Sequence, residues 1–398
     1  MPHPTSRRAA AGVLNDDLVR LRRSLHAEPE IGLALPRTQE KVLAALEGLD
    51  LKITTGKALS SVTAVLSGSR PGPTVLVRAD MDAMPLQENS DLPFASHVDG
   101  AMHACGHDLH TAMLVGAARL LSDENFAGHV VFMFQPGEEG YGGARLMVEE
   151  GVLDVTGERP VAAYALHVIA SLLPRGMFVS KPGPVLAACD AWRVTVRGTG
   201  GHSAIPHNAK DPVPAACEMV TALQTAVTRS FDVFDPVIVT VTSFHAGDAV
   251  NAIPSEANFT VVARSFSRET RDRLHREVLQ VIRGIAAAYG LEVGAQHSLD
   301  YPVTVNDYGE ATFVAEPVRE TFGAERYFDV PRPLPASEDF SFVLDQIPGA
   351  FVALGACLGD PMTAAANHSA DAAFDEAVLP DSVALYAELA LRRLAKAD

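Results

Sequence analysis

The chain has 398 residues, 47% of them apolar, and a formal net charge of −17. That length buries a large core and favours two domains, or one domain carrying another as an insert. The acidic balance, without any basic run, argues against a nucleic-acid or anionic-membrane partner, and no stretch of about eighteen apolar residues offers a membrane span. Cys105, Cys189, Cys217 and Cys357 are widely scattered and residues 1–12 hold no apolar leader, so a reducing cytoplasm is expected.

Helical patterning is predicted over 16–26 and 38–49, and short strands over 61–66 and 74–77. The alternation continues with a helix over 111–121, a strand over 129–134, a helix over 144–152 and a strand over 161–168. This is the pattern of an α/β fold whose sheet is layered by helices, with chemistry in loops beyond the strand ends. The middle of the chain changes character. A strand over 191–196 leads to Asp211-Pro212, an N-cap carboxylate followed by proline, and then to a helix reaching about 229. Strands over 237–244 and 257–265, a helix over 268–289 and a strand over 291–298 complete a β-α-β-β-α-β order, the ferredoxin-like unit. We therefore expect a discontinuous first domain, residues 1–189 and 300–398, interrupted by an α+β insert over 190–299. A helix over 338–346, a strand over 350–355 and a helix from 382 resume the first domain.

Residues 102–110, Met-His-Ala-Cys-Gly-His-Asp-Leu-His, place one thiol, three imidazoles and a carboxylate in nine positions. Thiolate, imidazole and carboxylate are the side chains that hold first-row divalent ions, so the segment reads as part of a metal centre. Glu138 and Glu139 form a second concentration of charge at the end of an apolar strand, where repulsion and partial burial are costly without a cation. On an extended backbone the two would point to opposite sides, dividing into a ligand and a free carboxylate able to take a proton. A solvated acidic loop is the alternative. His167, at the end of an apolar strand, is either a hydrogen-bonded core residue or a ligand. His368, in a loop, says little alone. Asp80 and Asp82 follow the strand ending at 77. Asp82 is read as orienting a ligating imidazole and Asp80 as that or a plain turn residue. Asp108 and His110 start the following helix, Asp108 near its positive end, and His103 is structural or supports a ligand.

Together the motifs Arg-Ala-Asp-Met-Asp-Ala-Met-Pro at 78–85, the 102–110 block, Gln-Pro-Gly-Glu-Glu-Gly at 135–140, Leu166-His167, Gly-Gly-His-Ser-Ala-Ile-Pro-His at 200–207, Val-Asn-Ala-Ile-Pro at 250–254, Ser-Glu-Asp-Phe at 337–340 and His368-Ser369 resemble the M20 peptidase family. They resemble in particular its branch of hippurate hydrolases, N-acyl-amino-acid deacylases and auxin-conjugate hydrolases. The resemblance spans about 290 residues and implies a metal-binding catalytic domain plus a ferredoxin-like lid and dimerisation domain.

The resemblance further implies that Cys105, His107, Glu139, His167 and His368 ligate two divalent ions, Zn²⁺ or Mn²⁺ first and Co²⁺ or Ni²⁺ next, with Glu138 as general base. A water acidified by two cations loses its proton to Glu138, attacks the amide carbonyl, and Glu138 returns the proton to the amine. His202 would reach the active site of a partner subunit and steady the oxyanion, making the expected assembly a homodimer or a dimer-based oligomer. Asn251 would hold substrate. Arg264 either grips the substrate carboxylate bidentately or is a surface cation of a strand. Gly137, Ala165 and Ala370 depart from the family's usual residues beside ligands without replacing one, which bears on substrate fit rather than chemistry.

The expected activity is removal of an acyl or aroyl group from an N-acylated amino acid. A dipeptidase or carboxypeptidase of the same mechanism is the nearest alternative. A Cys105/His107 nucleophilic hydrolase would leave the vicinal acids and distant histidines unexplained, and a metal-binding relative without catalysis would have no need of Glu138.

Overall fold

The computed structural model describes residues 4–396, so the expected domain ends at 1–3 and 397–398 lie outside the described residues. Two compact units make up the chain. One comprises Met1–Val185, Val305–Arg332 and Asp339–Asp398, and the other Leu186–Thr304 with Pro333–Glu338. The second therefore takes in a short segment from beyond 299 as well as the β-α-β-β-α-β insert.

The first unit is built on a mixed eight-stranded sheet in the order Lys52–Thr55, Val62–Ser67, Ala127–Gln135, Arg70–Asp80, Ala162–Ile169, Gly349–Gly355, Phe178–Ser180, Tyr327–Asp329. Its centre is parallel: Arg70–Asp80 runs alongside both Ala127–Gln135 and Ala162–Ile169, and Gly349–Gly355 alongside Ala162–Ile169. Helices cover these strands, so Val75, Leu76 and Val77 are buried in succession and the strand reads as a continuous apolar run rather than an alternating one.

Helix His107–Ser122 lies at the core of this unit, with Leu109, Met113, Leu114, Val115 and Leu121 fully buried. A helix buried on nearly every side has no room to shift, so the side chain at its first position, His107, is held by the core itself. The chain enters it through Gly106 in the left-handed region (φ 84°), where a Cβ would run into the Val168 side chain. Only glycine accommodates that backbone together with that close approach.

The second unit is a four-stranded antiparallel sheet in the order Ile238–His245, Glu256–Ser265, Ala188–Arg197, Glu292–Tyr301. Trp192, Val194, Val196, Phe259 and Val261 face helices Pro212–Ser230 and Arg268–Ala288, whose Met219, Leu223, Leu274 and Ile282 complete a separate core. Asp211 caps the first helix by accepting from Val213 N (2.9 Å), and Ser267 caps the second by accepting from Thr270 N (3.1 Å).

Several boundaries differ from those expected. The strand expected over 74–77 runs from Arg70 to Asp80, and the helix expected from 111 starts at His107. Helix Tyr308–Phe322 carries Pro317 inside it, which hides its periodicity. The expected helix over 338–346 shrinks to Ser341–Leu344. Asp339 is held instead by a buried bond to Arg78 (3.0 Å) and two to Gln135 (2.7 and 2.9 Å). Among the described residues no helix is long and apolar enough to cross a membrane, and all four cysteines are free.

Truncating the central helix tests how far it anchors the unit. Leu114→Ala is expected to cost about 2–5 kcal/mol, read as a lowered urea midpoint with little change in slope.

Candidate metal centre

Two strand ends, a helix start and a loop bring the candidate ligands together in the first unit. Cys105 and His107 flank Gly106 at the start of the central helix, Glu138 and Glu139 follow strand Ala127–Gln135, His167 lies near the end of Ala162–Ile169, and His368 sits in the 366–372 loop. Cys105, His107 and His167 present ligand atoms within 4.8 Å of one another; so do Cys105, Glu139 and His368, and so do His107, Glu138 and Glu139. Cys105, His107 and Glu139 each belong to two of these groups. His368 stands in the left-handed region (φ 66°), which a non-glycine residue adopts only when its surroundings fix it.

Hydrogen bonds on the far side of each ring decide which nitrogen faces the centre. His107 Nδ1 lies 2.9 Å from the Asp82 carbonyl and His167 Nδ1 2.9 Å from the Val168 carbonyl. A carbonyl only accepts, so both rings carry an N–H on Nδ1 and turn Nε2 inward. His167 Nε2 lies 3.4 Å from Cys105 Sγ, and His368 Nε2 3.2 Å from the same sulfur. His368 Nε2 is also 3.2 Å from Glu139 Oε1. His107 Nε2 and Glu139 Oε1 are buried and face the same place. Buried polar atoms without a full set of partners are costly, and here they converge with a thiol and two further imidazoles. This donor set fits divalent cations of intermediate softness.

The electrostatics point the same way. Burial opposes ionisation of Cys105, yet the charge of His167 and hydrogen bonds from His107, His167 and His368 outweigh it and hold the thiol well below its usual range. Burial likewise opposes protonation of His107, but Asp80, Asp82 and Cys105 push it well above the ordinary imidazole value. His368 is raised to about 10 by its bonds to Cys105 and Glu139. Glu139 is raised by burial and by the neighbouring Cys105, against the pull of His368. Protons thus occupy the place of positive charge that a cation would take, so loading metal releases them.

Asp82 is the hub that orients this wall. Its carbonyl fixes His107, while its carboxylate oxygens accept from Glu138 N (2.9 Å) and Glu139 N (3.0 Å). The main chain of Asp82 holds the imidazole at hydrogen-bond distance, and its carboxylate, 3.6 Å from the same Nδ1, also aims the two glutamates. The expectation that Glu138 and Glu139 point to opposite sides is also corrected. The backbone turns at Gly137 (φ 72°), so the pair is not extended and both carboxylates approach His107. Glu139 differs from Glu138 in also joining the Cys105 and His368 group.

Asp80 is no turn residue. It is fully buried, accepts from Arg78 Nη1 (2.7 Å) and lies 2.5 Å from His110 Nδ1. Burial disfavours its charge, but Arg78, His107 and His110 keep the carboxyl well below the usual range. His110 Nε2 accepts from Val168 N (2.8 Å), so both its nitrogens are used and it buttresses strand Ala162–Ile169 rather than ligating. His103 is buried and pushed down to about 3 by that burial, so it stays neutral.

Two features escaped sequence reasoning. Asp108 does lie in the first turn of its helix, but its chief partners are Arg22, fully buried and 2.7 Å away, and His26 at 2.8 Å. His26 in turn meets Glu88 at 3.2 Å. The signal was available only as an arginine and a histidine four apart on one helix face. The second feature is Asn367, beside His368, whose amide reaches both Cys105 and the 168–170 segment.

The remaining candidates belong to the second unit. Strands Gly201–His202 and Ala252–Ile253 pair, and Ser203 N donates to the Asn251 carbonyl (3.0 Å), so His202 and Asn251 share one exposed corner. His202 Nδ1 accepts from Ala204 N (3.1 Å), which leaves the proton on Nε2. Arg264, opposite Cys189 across the sheet, reaches Ser337 Oγ at 3.4 Å. Asp190, His297 and Asp300 also cluster, but Arg271 already bridges Asp190 and Asp300 and supplies the cation there.

A mixed sheet with imidazole, thiolate and carboxylate donors converging beyond its strand ends, next to a second carboxylate, defines a metal-dependent hydrolase. Residues 76–392 match the family described as Peptidase family M20/M25/M40, and the chain belongs to that family. It is 36% identical to an N-acetylcysteine deacetylase of Bacillus subtilis, over 85% of this chain and 88% of that protein. It is 33% identical to a hippurate hydrolase of Campylobacter jejuni, over 96% and 97%. Among solved structures, a Bacillus subtilis protein described as a dinuclear metal-binding peptidase of family M20 superposes with a TM-score of 0.80 at 31% identity, covering 96% of this chain and 99% of that one.

The Glu88 link gives a pH-dependent expectation. Burial disfavours the Glu88 anion, but bonds from His26, Ser90 and Ser96 carry its pKa down from 4.5 to about 2. A carboxylate depressed on folding adds stability above its unfolded value, and that stability is lost as pH falls from about 4.5 towards 2. Thermal melts across that window are expected to fall less steeply for Glu88→Gln than for the parent protein.

Proposed function

We propose that this protein hydrolyses the amide bond of N-acyl or N-aroyl amino acids, using two divalent ions held by Cys105, His107, Glu139, His167 and His368, with Glu138 as general base. The observation that carries the reading is the convergence of inward-facing imidazole nitrogens, a thiolate and a buried Glu139 oxygen on one place, with a second buried carboxylate alongside. The names of the deacetylase and the hippurate hydrolase support N-acyl amino acids as the substrate class. Zn²⁺ or Mn²⁺ suits the donors first, with Co²⁺ or Ni²⁺ as functional substitutes. We also infer a reducing cytoplasm, where Cys105 stays available as a thiolate.

When bound, the two cations acidify a water and polarise the amide carbonyl. Glu138 takes the proton of that water and later delivers it to the departing amine, a role that suits a carboxylate held by its own backbone to Asp82. Two cations need a charge-rich cradle, and Glu139 shares groups with both His107 and His368, which suits it to ligation. We assign His202 to the oxyanion of a partner subunit in a homodimer, its Nε2 proton serving as donor. Such a donor contributes about 3 kcal/mol to the transition state. Asn251, on the same corner, is assigned to hold substrate, and Arg264 to pair with its carboxylate.

Chelation is expected to abolish hydrolysis of N-acyl amino acids, and Zn²⁺, Mn²⁺ or Co²⁺ to restore it. Glu138→Ala should keep its metal yet lose turnover by about 10²–10⁴-fold, and near-normal activity in that variant would overturn the mechanism. A panel of N-acetyl, N-benzoyl and dipeptide substrates compared by kcat/KM separates deacylase from dipeptidase. For the shared site, His202→Ala subunits mixed with Glu138→Ala subunits should regain part of the activity as mixed dimers form. Silent mixed dimers would remove His202 from the partner's site.

A further inference from the structure

Asn367 precedes His368 and has a side chain that is fully employed. Its Oδ1 accepts from Ala170 N at 2.8 Å. Its Nδ2 donates to the Val168 carbonyl at 3.0 Å and to the Cys105 carbonyl at 3.4 Å, and lies 3.7 Å from Cys105 Sγ. One planar amide therefore touches the segment carrying Cys105, the strand end carrying His167 and the loop carrying His368. These segments are distant in sequence, and His368 N also donates to the Ala104 carbonyl (2.9 Å), a backbone tie between the first and the last. His368 holds its left-handed backbone immediately beyond this clamp.

We propose that Asn367 is a positioning residue of the metal centre, fixing the three ligand-bearing segments in register and donating an N–H to the Cys105 sulfur. The inference rests on the proposed ligation by Cys105, His167 and His368. An amide N–H aimed at a thiolate withdraws charge from it and restricts the direction of its lone pairs, so the residue tunes the sulfur as well as placing it. A side chain of the same size without N–H donors separates these effects from packing. Asn367→Asp keeps the oxygen that receives Ala170 N–H, loses both donors and brings negative charge towards the sulfur.

The test is made on the Co²⁺-loaded enzyme. Thiolate-to-cobalt absorption in the near ultraviolet reports the sulfur, and chelator competition reports metal release. Asn367→Asp is expected to release Co²⁺ at least about tenfold faster than the parent, in keeping with partners that orient ligands. It should also shift or weaken the thiolate band, while the metal-free protein melts close to the parent. Release and band within about twofold of the parent would overturn the proposal. A lowered metal-free melting temperature with an unshifted band would overturn it too, because that is the signature of packing alone. Should Asn367→Asp fail to fold, Asn367→Ser, which is smaller and uncharged, is read by the same criteria. Cys105→Ser is the control: if it keeps the thiolate band, the ligation reading itself fails, whereas its loss of the band beside an unchanged Asn367→Asp removes only this inference.

Discussion

The centre depends on one constraint: imidazoles whose outer nitrogens are tied to backbone carbonyls have no choice about what they present inward. Asp82 and Val168 each offer a carbonyl to an Nδ1 proton, so His107 and His167 turn Nε2 inward before any ion is present, carrying a proton there that metal would displace. Because those carbonyls belong to residues next to strand ends, the tautomers are set by the sheet. Cys105 then lies between His167 and His368, close enough that its charge is favoured despite complete burial. A fold that buries such a group without neutralising it would be unstable by several kcal/mol. Protons supply the compensation in the metal-free protein.

A second layer keeps these donors from relaxing. Asp80, Arg78, Gln135 and Asp339 form a buried network beneath the Glu138 loop, and His110 joins it to strand Ala162–Ile169. Asp108, Arg22 and His26 brace the start of the central helix from the opposite side, and Glu88 extends the brace to the 88–100 loop. Asn89 in that loop donates to the Ala370 carbonyl (2.9 Å) and to Asp371 Oδ1 (2.9 Å), two residues on from His368 and beyond. Ligands from sequence-distant segments are thus linked through buried charge rather than through the metal alone.

Much of this was legible from residues. The α/β alternation and the β-α-β-β-α-β order rest on hydrophobic period and caps, and Asp211 and Ser267 lie where those local rules work. The density of thiol, imidazole and carboxylate at 102–110 marked the metal chemistry because no ordinary core requires it. What stayed hidden depends on through-space partners. Asp108 read as a helix-dipole residue and Asp80 was left between orienting an imidazole and a plain turn, because Arg22's descent from another helix and His110's approach to Asp80 are contacts between distant segments. The Glu138-Glu139 geometry was misread because a left-handed Gly137 ends the extended backbone one residue earlier. Asn367 carries no signal in composition at all. Pro317 concealed a whole helix.

The central claim is that the Cys105, His107, Glu139, His167 and His368 cradle binds a pair of divalent ions. Elemental analysis of the purified chain, loaded with Zn²⁺ and dialysed free of excess, tests it most directly. The account predicts two ions per chain, falling for His107→Ala, whose buried Nε2 faces the cradle. A chain that retains no metal after loading, or a His107→Ala variant that keeps both ions, would contradict it.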